Sequence, residues 1–206
     1  MTYSEYRSLV FEDLKRFVPD IERCGALKRV LLLYKTRLRF ETFSVLYWFR
    51  TMQYYDSKSG ILNRLLCLNA KIKSLYKRRQ TGIQIPISVT LGSGLLFCHY
   101  SCIVFAYGVV VGKNCSIHQG VTIGRVFAGK KAGVPTIGDN VIIFPGAKVV
   151  GNIKVGNNVV IGANATVIND VPDNCVVAGT PAKIVSTDSR KAIGEEWLDF
   201  FAWSIS

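Results

Sequence analysis

Residues 135–171 read PTIGDNVIIFPGAKVVGNIKVGNNVVIGANATVINDV, and an aliphatic side chain returns there at every sixth position. A second small or aliphatic residue follows four positions after each of them. The residues that open the six-residue units are Ile137, Ile143, Val149, Val155, Ile161 and Val167. A short fixed period is typical of stacked coils, whereas the strands of a β-sandwich alternate with period two. The pattern therefore predicts a parallel β-solenoid.

The same period continues toward the N-terminus with two interruptions. It opens at Ile85, Leu91, Phe97 and Ile103, slips by two residues, and resumes at Val111, Ile117 and Ile123. A Gly- and Lys-rich segment, residues 125–135, then breaks the repeat, and we expect it to leave the coils as a functional loop. Three units make one triangular coil of eighteen residues, so residues eighteen apart should stack.

The corners of the coils should fall on glycine and asparagine. One large side chain points inward from each flat side, while the corners need backbone angles that these two residues adopt most easily. We expect such angles to explain the repeated glycines and asparagines, which are Gly92, Gly112, Gly138, Gly156, Gly162, Asn114, Asn140 and Asn158.

Residues 1–82 have a different pattern, with apolar side chains at helical spacing. Thr2 and Glu5 form a capping-box pattern at the start, and Pro19 ends the first helix. A second helical stretch is interrupted near Phe40, and a third ends in a basic cluster that complements the helix dipole. These features predict an N-terminal α-helical domain.

The positive charge is concentrated in this helical domain. The chain carries a formal charge of +12, and residues 1–82 contain 17 Lys and Arg against seven Asp and Glu. Residues 83–206 contain nine basic and seven acidic side chains. A basic face of this kind suits contact with an anionic membrane or an acidic polymer, and it is equally compatible with a plain solvated surface. We expect no nucleic-acid partner.

The rest of the composition indicates a cytoplasmic protein. The start, MTYSEYRSL, is polar, and no apolar run approaches the roughly 18 residues that a spanning helix needs. The six cysteines contain no CxxC pair, so we expect reduced thiols. The basic helices leave a location at the inner face of the membrane open.

The chain thus divides into three parts, and the predicted fold class is mainly β with α. Residues 1–82 are the basic α-helical domain. Residues 83–185 are the solenoid with its excursion loop, residues 125–135. Residues 186–206 are a tail whose aromatic and aliphatic spacing suits a short helix.

Two stretches of the repeat resemble the hexapeptide-repeat acyltransferases. They are GLLFCHYSCIVFAYGVVVGKNCSIHQGVTIG at residues 94–124 and the closing AGTPAKIV at residues 178–185. The similarity covers residues 85–185 and is strongest to serine O-acetyltransferases and their relatives in surface-polysaccharide synthesis. It implies a left-handed parallel β-helix, a homotrimer, and acetyl-CoA as co-substrate in the cleft between subunits. Pairing of two trimers is left open.

The only two histidines lie inside the repeat, on the same face of successive coils. His99 is the third residue of the unit that opens at Phe97, and His118 is the second residue of the unit that opens at Ile117. These two units are three units apart, which is one full coil. The two imidazoles should therefore lie close together, outside the core. By resemblance, His99 occupies the position of the catalytic base, and an imidazole with a pKa near 6.5 suits removal of a hydroxyl proton. His118 is expected to stabilise the oxyanion or orient the acceptor, and an incidental role for it is left open.

The chain departs from the serine enzymes around the catalytic position. By resemblance, the acid that orients the base falls on Gln84, the Asp before the base falls on Cys98, and a second active-site histidine falls on Val134. Glutamine orients an imidazole but does not stabilise its charged form as a carboxylate does. The loss of both carboxylates favours a sugar hydroxyl over serine as the acceptor.

The sequence therefore predicts an acetyl-CoA-dependent O-acetyltransferase that acts on a sugar hydroxyl in polysaccharide or glycan synthesis, by direct attack with a His general base. Two alternatives stay open. The first is a serine O-acetyltransferase, which makes O-acetylserine for cysteine biosynthesis. The second is a non-catalytic trimeric scaffold that binds a membrane or a polymer through residues 1–82.

The resemblance also implies where acetyl-CoA binds. Small residues along the coils let the backbone approach the pantetheine arm and donate hydrogen bonds. The implied positions are Gly124, Arg125, Pro145, Gly146, Ala163, Asn164, Thr180 and Lys183, with Lys130 and Lys131 as further candidates on the loop. We expect no metal, because Cys98, Cys102 and Cys115 occupy different positions within their units.

Overall fold

The computed structural model describes residues 1–193, and its main element is a parallel β-solenoid preceded by four α-helices. The solenoid has three flat sides, each formed by a short sheet, so the predicted β-helix with helices before it is confirmed. The predicted tail helix around residues 197–203 lies outside the described residues. The division of the chain after residues 82 and 185 stays a prediction.

Four helices form the N-terminal region. Their bounds are α1 Tyr3–Lys15, α2 Ala26–Arg39, α3 Glu41–Asp56 and α4 Ile61–Thr81, with a 3-10 helix at Pro19–Arg23. The capping box is present, because the Glu5 N–H donates to Thr2 Oγ1 and the Thr2 N–H donates to Glu5 Oε2. The extended backbone of Phe40 separates α2 from α3. The other three α-helices pack against α3, which is therefore the centre of this region.

The solenoid is built from very short strands. They are β1 Thr90–Leu91, β2 Leu96–Phe97, β3 Val104–Phe105, β4 Val110–Val111, β5 Ser116–Ile117, β6 Thr122–Gly124, β7 Thr136–Ile137, β8 Ile142–Ile143, β9 Lys148–Val150, β10 Lys154–Val155, β11 Val160–Ile161, β12 Thr166–Val167, β13 Val176–Ala178 and β14 Lys183–Ser186, followed by α5 Arg190–Ile193. The sheets have the orders β1-β4-β7-β10, β2-β5-β8-β11-β13-β14 and β3-β6-β9-β12. Among these described strands, only the pairing of β13 with β14 is antiparallel.

The strand register confirms the eighteen-residue coil. Lys154 pairs with Thr136, which lies eighteen positions earlier. The first repeat is two residues longer, because Thr90 pairs with Val110. Val110 in turn pairs with Thr136, so the coil that contains the excursion loop is the longest. The aliphatic residues that recur with the period are buried between the three sheets and form the core.

The two-residue slip lies at a different place from the one predicted. Phe105, not Ile103, pairs with Ile123 and so opens the third unit of the first coil. The extra residues lie in the corner after β2, where Ser101 and Cys102 have φ values of 107° and 52°. Ile103 is buried as well, at the second inward position of its unit, and its apolar side chain therefore suggested the wrong register.

The repeated glycines serve close approach between coils rather than unusual backbone angles, which corrects the prediction. A Cβ on Gly112 would lie 2.5 Å from the carbonyl carbon of Gly138 and 2.3 Å from Oδ1 of Asp139. The predicted glycines have no positive φ, whereas three asparagines do, namely Asn114 at 55°, Asn140 at 57° and Asn158 at 54°. The asparagines thus make the left-handed corners, and the glycines allow the coils to stack.

A buried ion pair joins the helices to the first coil. Asp13 of α1 accepts hydrogen bonds from Arg50 of α3 at 3.1 and 3.3 Å and from the Leu95 N–H at 3.0 Å. Arg50 also donates to the carbonyl groups of Leu91 and Gly92. Both charged side chains are only 1% exposed. The pair therefore fixes α1 and α3 to the first coil of the solenoid.

Candidate functional site

One corner of the solenoid collects most of the predicted site residues. It lies where the chain passes from the sheet containing β2 to the sheet containing β3, and we call it the corner ridge. Its segments in successive coils are residues 98–103, 118–121, 144–147 and 162–165, and residues 179–182, which join β13 to β14 within one sheet, stack on the last of these segments. Because the register repeats from coil to coil, these segments stack into one continuous edge.

His99 and His118 lie side by side on the corner ridge. Their ring centroids are 6.1 Å apart, with 53° between the ring planes. The strands position them, since the Cys98 N–H donates to the Ile117 carbonyl at 3.0 Å and so places the end of β2 over the end of β5. His99 is exposed and His118 is partly buried. The structure thus brings the two imidazoles together.

The surroundings of His118 keep its imidazole neutral. The ring stacks on Phe144 of the next coil, with centroids 5.1 Å apart and 19° between the planes. Burial, with a smaller contribution from His99, lowers the pKa of His118 to about 4. Its Nε2 atom is buried and has no hydrogen-bond partner within residues 1–193. A neutral imidazole with a free ring nitrogen is suited to hold a polar group of a substrate.

Gln119 is a candidate site residue that the sequence analysis missed. It follows His118 on the corner ridge, and its Oε1 atom is also buried without a hydrogen-bond partner in the described part of the chain. Buried polar atoms are rarely left unpaired, so two such atoms on neighbouring residues mark a place for a ligand. The signal in the sequence was the polar pair itself, because the next coil has Phe144 and Pro145 at the same positions.

Gln84 lies beside the corner ridge, but it makes no hydrogen bond to His99. Its N–H donates to the Ile103 carbonyl at 2.8 Å, which adds it to the edge of β3. Its Oε1 accepts a hydrogen bond from Arg78 of α4 at 3.2 Å. The orienting contact that the resemblance implied is therefore not formed in this structure.

The two cysteines that flank this region are inert. Burial raises the pKa of the Cys98 thiol to about 11 and that of the Cys115 thiol to about 12. Both groups stay protonated at neutral pH, and a protonated thiol is a poor nucleophile and a poor metal ligand. Neither of these two thiols is therefore suited to act as a nucleophile at neutral pH.

Five of the positions implied for CoA lie on the corner ridge. They are Pro145, Gly146, Ala163, Asn164 and Thr180, in three successive coils. Gly146 has a φ of 76°, and a Cβ there would lie 2.1 Å from Oδ1 of Asn164, so both the backbone angle and the space favour glycine. Thr180 Oγ1 donates to the carbonyl of Asn164 at 3.1 Å. These residues continue the edge that begins with the histidines.

The other implied CoA positions lie outside the ridge segments. Gly124 and Arg125 are at the opposite end of β6, where the Arg125 guanidinium donates to the Tyr107 carbonyl at 3.1 Å. Lys183 is exposed at the start of β14, and Lys130 is exposed on the excursion loop. The Lys131 ammonium group donates hydrogen bonds to the Ile168 carbonyl and to Asn169 Oδ1 in the turn after β12, which ties the loop to the side of the solenoid.

A groove of about 780 Å³ opens between α4 and the first coil. Apolar side chains of α3, of Leu75 in α4 and of the first coil line it, and the polar groups along it include Arg78, Gln84, Tyr107 and Arg125. The groove therefore connects Gln84 with the end of β6 that carries Arg125. It gives a substrate room beside the first coil.

Comparison with known proteins places the chain in a family. The family model described as bacterial transferase hexapeptide (six repeats) matches residues 135–169. A solved structure of Neisseria gonorrhoeae serine acetyltransferase in complex with serine is 30% identical with a TM-score of 0.67, over 89% of this chain and 70% of that chain. The chain belongs to the serine acetyltransferase-like hexapeptide-repeat family. Members of this family share the left-handed parallel β-helix that the resemblance implied.

Two further relatives define the extent of the match to this family. A serine acetyltransferase of Synechococcus elongatus is 36% identical over 133 residues, which are 64% of this chain and 51% of that protein. A serine acetyltransferase of Brucella abortus in complex with coenzyme A is 29% identical with a TM-score of 0.66, over 90% of this chain and 70% of that chain. The chain thus spans about half the length of the Synechococcus relative.

Proposed function

We propose that this protein transfers the acetyl group of acetyl-CoA to the hydroxyl group of an acceptor, with His99 as the general base. The observation that carries the proposal is the pair of imidazoles on the corner ridge, one exposed and one neutral, with ring centroids 6.1 Å apart. The similarity to a serine acetyltransferase in complex with coenzyme A supports acetyl-CoA as the co-substrate.

In the proposed reaction, His99 accepts the proton of the acceptor hydroxyl while the hydroxyl oxygen attacks the thioester carbonyl carbon. The carbonyl oxygen gains negative charge, and the neutral His118 is close enough to His99 to donate a hydrogen bond to it or to hold the acceptor. The C–S bond then breaks, the sulfur leaves with the electron pair, and His99 returns the proton to it. The products are an acetyl ester and free CoA.

L-Serine is the first candidate acceptor. The relatives described above are serine acetyltransferases, and one of their structures contains serine. They support the serine alternative more strongly than the sugar acceptor that the sequence favoured.

A sugar hydroxyl is the second candidate, and one observation favours it. Within residues 1–193, neither His99 nor His118 has a carboxylate oxygen within 4 Å. Serine carries an ammonium group that a carboxylate would bind, whereas a neutral sugar needs no such partner. Gln119 and His118 offer uncharged polar atoms of the kind that bind sugar hydroxyls.

The proposal includes a homotrimer with acetyl-CoA between subunits. The corner ridge and the Gly124–Arg125 pair lie at opposite ends of β6, so a neighbouring subunit that brings its ridge to that end would complete a cleft. Sedimentation velocity on the purified protein tests the trimer. Pairing of trimers, contact with an anionic membrane and a cytoplasmic location stay predictions.

The activity test measures CoA thiol release with L-serine and with a panel of sugars and nucleotide sugars. We expect His99→Ala to lower kcat with the best acceptor by roughly 100-fold or more, because general-base assistance is lost. Lys113→Ala, an exposed change at another corner, is the matched control and should leave kcat unchanged. Equal rates for the parent and His99→Ala would refute the general-base role, and absence of both turnover and CoA binding would favour the non-catalytic scaffold.

A further inference from the structure

The helix α4 turns an apolar face to solvent. Its buried side chains Cys67 and Ala70 face α3, and the third buried side chain, Thr81, is at the last residue of the helix. The opposite face is largely apolar and carries Ile61, Leu62, Leu65, Leu68, Ile72 and Tyr76, which are between 54% and 78% exposed. At about 100° per residue these positions form one stripe along the helix. A contiguous exposed apolar stripe marks an interaction surface.

Basic side chains border the stripe on both sides. Lys71 and Arg64 project along one edge and Lys73 along the other, as the helical period requires. The 21 residues of α4 contain six Lys and Arg and no Asp or Glu. An apolar stripe between two basic edges is the pattern of a helix that lies in the interface of a membrane.

Several of these cations have no acidic partner in the protein. In the described part of the chain, Arg64, Lys73 and Arg79 are exposed and have no carboxylate within 4 Å. Lys71 and Lys77 do pair with acidic groups. The free charges therefore remain available to anionic groups outside the chain.

We propose that α4 lies in the headgroup region of an anionic membrane, with its stripe toward the acyl chains. No helix within residues 1–193 is both long and apolar enough to cross a bilayer, so the contact would be peripheral. A second copy of the chain fits less well, because α4 against α4 would oppose two sets of six cations. Aliphatic side chains also do not stack on bases, which disfavours a nucleic acid.

The membrane contact would be made by α4 and not by α2, which serves as the internal comparison. The helix α2 is shorter, at 14 residues, and also exposes apolar side chains, among them Leu31 and Leu38. Its partly buried side chains Leu32 and Leu33 pack against the cluster containing Phe43, whereas the Cys67 thiol of α4 lies beside the Met52 carbonyl. Residues 43 and 52 are on opposite sides of α3, so one flat bilayer cannot contact both helices.

The test is cosedimentation of the full chain with vesicles of phosphatidylcholine, with and without phosphatidylglycerol. We expect binding only when phosphatidylglycerol is present, and weaker binding at high salt. Arg64→Gln/Lys73→Gln should weaken partitioning by about fivefold for each charge removed. Leu65→Gln/Ile72→Gln, which keeps every charge, should weaken it by about tenfold for each apolar side chain that no longer inserts.

Leu31→Gln/Leu38→Gln on α2 is the matched control, and it should bind as the parent does. Far-ultraviolet circular dichroism checks that each variant folds. We expect all of them to fold, because the substituted side chains are exposed. Failure of the parent to bind anionic vesicles would overturn the proposal, as would equal binding by the parent and both α4 variants. A parent that ignores vesicles but dissociates into smaller oligomers on Leu65→Gln/Ile72→Gln would assign the stripe to a second copy instead.

Discussion

At the scale of single residues, His118 is a histidine held neutral by its neighbours. Phe144 covers one face of its ring, and the His99 imidazole lies within 6.1 Å of it. Burial disfavours the charged form, and a nearby second imidazole adds to that effect. With a pKa of about 4, the group is a hydrogen-bonding side chain at neutral pH and not a cation.

This environment predicts a specific pH dependence of stability. The pKa of His118 is about 4 in the folded protein and 6.5 in the unfolded chain. Between these two pKa values the unfolded state binds a proton at His118 and the folded state does not, so the free energy of unfolding falls as the pH drops from 6.5 toward 4. His118→Leu should show a shallower fall, measured by thermal unfolding across this range. The difference between parent and variant isolates the histidine, because the acidic residues titrate in both.

The pKa itself is measured by NMR titration of the imidazole protons. Assignment of the His118 signal uses its disappearance in His118→Leu. A midpoint near the ordinary value of 6.5 would contradict the buried, neutral state and remove the reason for assigning this residue a donor role.

At the scale of secondary-structure elements, the coils stack because glycines stand where one turn meets the next. Gly112 has an ordinary backbone angle, and its importance lies in the 2.5 Å that would separate a Cβ from the Gly138 carbonyl carbon. Backbone atoms of the neighbouring coil cannot move aside as a flexible side chain does. The column of glycines therefore sets how closely the backbones of successive coils can approach each other.

Gly112→Ala should lower the free energy of unfolding by about 3 kcal/mol, the upper range for overpacking, because the Gly138 backbone as well as the Asp139 side chain opposes the added methyl group. Urea denaturation of the parent and variant measures the change. Gly25→Ala is the control, since no atom lies within 4 Å of the added Cβ, and it should cost no more than about 1 kcal/mol. Equal losses at the two positions would argue against close packing as the cause.

At the scale of the whole molecule, the pair of Asp13 and Arg50 links the helices to the solenoid. We expect Arg50→Met to destabilise the protein by about 3 to 5 kcal/mol, because it leaves the Asp13 carboxylate buried without its cation. Arg23→Ala is the comparison, because it removes an ion pair with Asp20 in which the two side chains are 86% and 82% exposed. It should lower the free energy of unfolding by less than about 1 kcal/mol. The comparison uses denaturant unfolding, and similar values for the two variants would show that burial is not what gives the pair its importance.

The helical region illustrates how far the sequence predicts structure. The capping box at Thr2 and the break at Phe40 were predicted because each depends on neighbouring residues only. The burial of Asp13 and Arg50 was not, because their contacts join residues far apart in the chain. The exposure of the apolar stripe of α4 was also missed, since periodicity alone predicts an apolar face but not which face packs inward.

The candidate site divides in the same way. The proximity of His99 and His118 followed from counting six-residue units, which is a local property of the repeat. The contacts of the site did not follow, because Gln84 pairs with Arg78 in the last turn of α4 and not with His99, and His118 stacks on Phe144 across the excursion loop. Counting alone could not align residues on the two sides of that loop.

The amino-acid sequence alone was sufficient to predict the coiled architecture. Aliphatic residues at every sixth position are buried together in one core when triangular coils stack. Folding in three dimensions was needed to locate the extra two residues at Ser101 and Cys102, since Ile103 and Phe105 are both apolar and both buried. Hydrogen bonding between coils chose between those two registers. Burial within the folded corner, which no local pattern reports, is what makes His118 neutral.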